Sequence, residues 1–467
     1  MRYVILTIIC LGLYAVVGLG FLSSLAIALW IWFLQELFEN SNDSIAFKEF
    51  ILTLYGMNYL FSPAFSYLND VSSVYRMKIP EEDYFLLAIP SMLLLRAGMN
   101  LIKTPIFQFH FRTVQLQSVL NQNVLVTWLY AGTVIRFFNS YIPGDLSFFF
   151  YLLSSVRFVA AYGLFVMDAR RYKWHLVAIL FLELLMALQQ GMFHDFAMWL
   201  IFFGIFWVYI KKPSRNLKLA LGVGAAFLFF MIQVAKSEFR SSLGTNQEAS
   251  GLALFQNAVE KNMQSEEGLF SSANTQGSMT RANQAWIFAS TVNYMDHFGD
   301  RQGVALLGEY AKAAFLPRFV APDKMKAGDK TIFNRFSGHR VNSGTSMGLG
   351  FFADGYIAYG PMGTYAFAFL LGLIFAGVFK LVEGWSRISP FFILLMFPIL
   401  HYAVRPDCET QTVMGHIVKG IFVFGCLMWY YSVYFAKVVD QIAKDQALTD
   451  VWKRRLAAAQ KRKTGVQ

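Results

Sequence analysis

The sequence predicts an all-α polytopic membrane protein of about 12 transmembrane helices with one large, mostly helical external loop domain. Three observations carry this. The 467 residues are 56% apolar and only 15% charged, where a soluble domain averages about 25% charged. The apolar residues come in blocks of about 17 or more, the length a helix needs to cross a bilayer. Only one long stretch, residues 240–354, is polar. A β-barrel would show short alternating segments instead.

The first apolar run, residues 2–38, is too long for one helix, and Gly18 with Gly20 marks a break into two short spans. No cleavage site followed by a soluble domain appears, so the run reads as retained helix. Further spans are expected at 46–67, 83–102, 122–140, 146–168, 173–191, 194–211 and 216–235, and after the polar stretch at 355–380, 388–404 and 414–437. The chain divides accordingly into spans (1–235), the large loop (236–354), spans again (355–437) and a basic tail (438–467). Two segments read as surface helices. Residues 106–120 interleave aromatic and polar side chains. The tail sets Val438, Ile442, Val451, Trp452 and Leu456 at helical spacing among Lys and Arg, which suits an anionic leaflet.

The net charge of +11 reflects topology rather than nucleic-acid binding. Arg170, Arg171, Lys173, Lys211, Lys212, Arg215 and Lys218 cluster in loops on one side, together with the tail. The short loops on the other side carry only Arg76, Lys78 and Arg405. The positive-inside rule then puts both termini in the cytoplasm and the large loop outside. The three cysteines form no CxxC and no cluster with histidine, so neither a metal site nor a disulfide framework is indicated.

The exit of the large loop is cationic. Between Lys312 and Arg340 it holds seven Lys or Arg against Asp323 and Asp329, which points to an anionic substrate. Arg318, Arg335, Arg340 and Arg405 are the candidate cations, with Lys324 and Lys419 behind them, because the Arg fork meets phosphate oxygens in pairs. His339 is the candidate base, with Asp354, Asp407 and Glu309 as rivals; Asp354 also reads as a cap for the helix that follows it. Trp286, Tyr294, Phe298 and Tyr310 are loop aromatics able to stack on sugars or to form a small core. Arg96, Arg157 and Glu183 fall inside spans, where charges default to function, but an Arg157–Glu183 pair between helices would account for both as structure.

The order of parts resembles the bacterial Wzy-type O-antigen and exopolysaccharide polymerases. The resemblance lies in the span count, the late external loop, the pattern Leu316, Pro317, Pro322, Lys324, Ser346, Asp354, Tyr356, Gly360 and Gly363, and Arg405 at the outer end of the penultimate span. Where such polymerases often carry Gly-x-Arg, this chain has Gly191, Met192, Phe193, His194 and Asp195, which hands a phosphate-binding position to His194. An Arg and a Gly eleven apart, Arg240 and Gly251, match a further pattern of some members. The resemblance implies a GT-C-like glycosyltransferase of the bacterial inner membrane with its loop in the periplasm. Its substrates would be oligosaccharide repeat units on undecaprenyl pyrophosphate, with no metal, nucleotide or other cofactor and no nucleic acid. A chain-length regulator would be a partner. His339, Arg405 and Asp354 would be catalytic, and Arg318, Lys324, Arg335, Arg340, Lys419, His194 and Trp286 would hold pyrophosphate or glycan. A related O-antigen ligase, using a loop histidine such as His339 beside Asn342 and Ser343, and a lipid-linked glycan flippase are the alternatives. The missing internal repeat counts against transport.

Overall fold

The computed structural model describes residues 2–69, 75–102, 118–190, 193–245, 283–316, 320–326, 328, 330–341 and 347–433, with residues 256, 257, 260, 277 and 437 besides. The 106–117 part of the first surface segment, Gly251, Asn342, Ser343, Ser346, Pro317, Arg318 and the 438–467 tail lie outside the described residues. Among those described, the chain is helical with no strand. Among the described residues eight helices are long and apolar enough to cross a membrane, and the protein is a multi-pass membrane protein. Of the other expected spans, 122–140 falls on a continuous 21-residue helix, Ser118–Phe138, and the rest are helical but short or interrupted.

The elements are α1 (Arg2–Gly12), α2 (Phe21–Asn40), α3 (Phe47–Gly56), α4 (Ser62–Leu68), α5 (Glu81–Leu101), α6 (Ser118–Phe138), α7 (Gly144–Ser154), α8 (Val156–Met167), α9 (Ala169–Gln190), α10 (His194–Lys211) and α11 (Arg215–Thr245). The large loop contributes α12 (Ala285–His297), α13 (Gly303–Phe315) and α14 (Lys330–Ser337). Then come α15 (Phe351–Ser386), a short 3₁₀ turn leading into α16 (Met396–Leu400), and α17 (Thr410–Val433). As expected, α1 and α2 part at Gly18, which takes a left-handed φ of 76°. α11 runs ten residues past the expected end of its span.

Without water to expel, helices in a bilayer associate by close backbone contact at small residues. α5 and α15 meet this way. A Cβ on Gly98 would stand 2.2 Å from the Phe369 carbonyl oxygen, and one on Gly372 would stand 2.1 Å from that of Leu95. Arg96 on α5 pairs with Glu36 of α2 and lies 4.1 Å over the Trp32 ring. Arg157 of α8 donates to Glu183 of α9 at 2.7 Å and to the Ser154 carbonyl at 2.9 Å. Both members of that pair are buried, as the sequence suggested.

The centre of the bundle is the 390–400 segment, buried at every residue. Around it Phe47, Phe202 and Phe397 form one aromatic cluster with ring centroids 5.0 to 5.4 Å apart. The loop domain is integral to this core. α12 is buried through most of its length, with Phe288 against Tyr59 and Tyr84. It is anchored by Asn283, whose Oδ1 accepts from Ala285 N while its amide donates to Ser66 Oγ.

α15 departs from a simple span. The backbone breaks at Tyr359 and Gly360, where Gly360 takes φ 66°, ψ −148°, a region closed to side chains. Residues 351–358 therefore form a buried half-helix folded back on residues 361–386. The two arms touch at Gly355 and Gly363, where added Cβ atoms would come within 2.6 and 2.0 Å of the opposite carbonyl oxygen. Thr364 Oγ1 donates across to the Phe352 carbonyl at 3.3 Å. Arg301 holds the tip, donating to the Tyr356 carbonyl and pairing with Asp296, which also accepts from the Tyr356 hydroxyl. Tyr356, Gly360 and Gly363 thus build the hairpin.

Candidate functional site

The end of α3 with the turn after it, and the Gly348 stretch before the hairpin, hold the connection from α16 to α17, residues 401–409, in place. Tyr55 and Tyr59 hydroxyls donate to the Ala403 and Pro406 carbonyls at 3.3 and 3.1 Å. Gly348 lies so close that a Cβ there would stand 2.1 Å from the Asp407 carbonyl oxygen. On this clamped loop Arg405 grips Asp407 with two hydrogen bonds, Nε to Oδ1 at 3.2 Å and Nη2 to Oδ2 at 2.7 Å. The guanidinium also lies 5.1 Å from the centre of the Tyr402 ring. The pair is open: 18% of the Arg405 side chain and 46% of the Asp407 side chain remain exposed.

Other polar groups converge here from four helices. α10 brings His194, whose charge feels Arg405, Asp407, Asp195 and His401, and whose Nε2 has no hydrogen-bond partner. Asp195 accepts from the Tyr151 hydroxyl of α7 at 3.2 Å. Arg136, in the last turn of α6, acts electrostatically on Tyr151, and its buried Nε also finds no partner. α17 contributes His416, whose ring lies 5.0 Å from that of Tyr402. One turn on it contributes Lys419, with Nζ 4.8 Å over the Phe148 ring. His401 stacks on Trp199 at 5.0 Å.

Electrostatics on the loop are uneven. Burial opposes ionisation of Asp407, but the Arg405 charge and hydrogen bonds outweigh it and hold the carboxyl at about 2. Asp407 is therefore a permanent anion and a poor base. Glu409 goes the other way. Burial, then the neighbouring Asp354, pushes it up to about 7. Its oxygens accept from Gly328 N at 2.9 Å and Thr412 Oγ1 at 3.0 Å. Burial also lowers His401 well below the usual imidazole range, leaving it neutral.

Of the residues chosen from sequence, Arg405, His194 and Lys419 come together in this cluster. The others are distributed differently. Asp354 caps a helix, but not the one that follows it: it is fully buried, and its Oδ2 accepts from Thr410 N at 2.7 Å, at the start of α17. Lys324 is 6% exposed, with Nζ donating to the Ala313 and Leu316 carbonyls. It neutralises the carbonyl end of α13 rather than facing solvent. Trp286 is 5% exposed, edge-on to Tyr75 and 5.5 Å from the His339 ring, so it is core and no sugar platform. His339 Nε2 lies 3.0 Å from Ser290 Oγ, and partial burial, then Lys78, keeps the imidazole below its ordinary pKa. Arg335 and Arg340 are exposed on α14 and just beyond it. Arg318 lies outside the described residues.

The sequence reading passed over Arg136, Tyr151, Asp195, His401 and His416. The signal that singled out Arg157, an ionisable residue inside a span, also applied to Arg136. Among the described residues no group of three or more His, Cys, Asp or Glu is arranged to hold a metal ion.

A family model described as Domain of unknown function (DUF8712) matches residues 54–386, and the chain belongs to that family. The match runs from α3 to the end of α15 and stops short of the Arg405 loop. No curated protein and no solved structure matches the chain.

Proposed function

We propose that this member of the DUF8712 family is a membrane glycosyltransferase. It would join oligosaccharide repeat units carried on undecaprenyl pyrophosphate into a surface polysaccharide, at the periplasmic face of a bacterial inner membrane. One observation carries the reading: an Arg fork, held open on a clamped loop, has His194 beside it and Arg136 and Lys419 on the neighbouring helices. Several cations gathered at the edge of a bilayer suit a lipid-linked diphosphate. The loop-exit pattern that resembles the Wzy-type polymerases adds to it.

In this reading Arg405 turns from Asp407 to the donor diphosphate, and the carboxylate acts as its placeholder between turnovers. The acceptor sugar hydroxyl attacks the anomeric carbon of the donor glycan. The bond from that carbon to the phosphate oxygen breaks, and undecaprenyl pyrophosphate leaves with the electron pair. Arg405, Arg136 and Lys419 stabilise the charge that develops on it. The hydroxyl proton passes to the departing pyrophosphate, and His194, with a ring nitrogen that has no protein partner beside Arg405, positions the acceptor hydroxyl. The chemistry requires no metal or nucleotide, because the lipid diphosphate is itself the leaving group.

The test is the glycan ladder of a deletion strain complemented with wild type, Arg405→Ala or His194→Ala at matched membrane abundance. The expected result is a ladder with wild type and single repeat units with either variant. A deletion strain that keeps its ladder length but loses surface glycan would replace polymerisation with ligation or flipping.

A further inference from the structure

A cleft of about 580 Å³ opens on the loop domain between α13, α14 and the 322–326 turn, within the size range of small-molecule sites. Its floor is apolar, with Leu306, Met325, Ile332 and Phe336, and its walls are charged. Of the anions lining it, Asp323 is occupied by Lys312 at 2.8 Å, and Glu309 faces it from α13. Of the cations, Lys324 is committed to the helix-end carbonyls. Lys326 and Arg335 are exposed and form no ion pair among the described residues; Arg335 makes one long bond, 3.3 Å, to the Gln302 amide oxygen.

We infer that this cleft binds a sugar bearing a carboxylate, such as a hexuronate within the repeat unit. The mixture of groups decides the class. A bare phosphate offers only acceptors, and Glu309 and Asp323 would repel it. A sugar supplies hydroxyl donors for those carboxylates and an apolar C–H face for the Leu306–Phe336 floor. The two uncommitted cations then call for one negative group on the sugar itself. The cleft is also tied to the structure that supports the Arg405 loop. Gly328, near the 322–326 turn, donates its N–H to Glu409, two residues from Asp407. Glu309 precedes Tyr310, whose hydroxyl lies against Asp354.

The inference deepens the polymerase reading and relies on it for the sugar's place in a repeat unit, but binding can be read without turnover. The full-length protein in nanodiscs is titrated with a glucuronate-containing tetrasaccharide, with the same compound carboxyl-reduced, and with inorganic pyrophosphate. The acidic probe should bind about ten-fold tighter than the reduced one, a preference of about 1.4 kcal/mol that weakens with salt. Lys326→Ala with Arg335→Ala, both on exposed side chains, should abolish the preference without changing thermal stability. Arg405→Ala should keep it, so the ladder assay and the cleft assay fail independently. Equal binding of the two tetrasaccharides, an unchanged double variant, or displacement of the acidic probe by pyrophosphate would each overturn the inference.

Discussion

Arg157–Glu183 and Arg405–Asp407 are the same chemical pair in two settings. Each joins a guanidinium to a carboxylate at 2.7 Å. The first lies between α8 and α9 with 2% and 5% of its side chains exposed, and Ser154 takes further guanidinium valence. The second sits on a loop with 18% and 46% exposed. A closed pair fixes two helices against each other, because separating the charges in a low-dielectric interior is costly. An open pair can exchange its partner, because water or an incoming anion compensates the charge that is released. An intramembrane charge is thus a structural or a functional group according to whether its partner can be displaced.

The largest expected effect breaks the closed pair. Arg157→Ala leaves Glu183 buried and unpaired and should cost about 3 kcal/mol or more. Detergent-resistant folded protein would fall sharply, and Arg157→Met combined with Glu183→Leu should restore much of it. If the single variant melts like wild type, the pair is not what holds α8 to α9. Next is the open pair. Arg405→Lys keeps the charge but loses the fork, so it should fold normally while repeat-unit transfer falls on the order of 10²-fold. Asp407→Asn should cost far less transfer, since it removes only the placeholder. Rates from membrane vesicles supplied with lipid-linked repeat units compare the two directly. Equal losses would mean that Asp407 does more than hold Arg405 between turnovers.

The smallest effect concerns Glu409, which links the open loop to the buried Asp354. Its carboxyl lies at 4.5 in the unfolded chain and about 7 in the fold. Between these values the folded state binds the extra proton, so stability falls as pH rises from about 4.5 to about 7 and then levels off. Glu409→Gln should flatten that slope and raise the melting temperature at pH 8 relative to wild type. A wild-type melting temperature that rises across this window would contradict the raised carboxyl.

How far the sequence was legible depended on whether a feature is local. Hydropathy gave the helical stretches, and Gly18 the break between the first two, because both act within a few residues. Gly360 and Gly363 were visible as a motif, but their use, a half-helix folded back on its own helix, depends on which backbone they touch. Arg157 and Glu183 could be paired in advance because each was a lone charge in neighbouring spans. Arg96 turned to Glu36 on a helix far away in sequence. Trp286 looked like a loop residue and lies in the core, since the loop supplies α12 to the bundle itself, and Lys324 is buried against the carbonyl end of α13.

By itself, then, the sequence determined a helical membrane protein with a polar domain inserted late, and a cationic stretch around that domain's exit. Those properties are sums over neighbouring residues. Which cations lie together, and which are spent on helix ends, depends on the packing of distant segments. It buried Lys324 at a helix end and shut Asp354 away as the cap of α17. Packing brought His194 to Arg405, and set Arg136 and Lys419 on the helices beside them. Whether a charge is satisfied depends on distances across the fold, and a chain position carries no record of them.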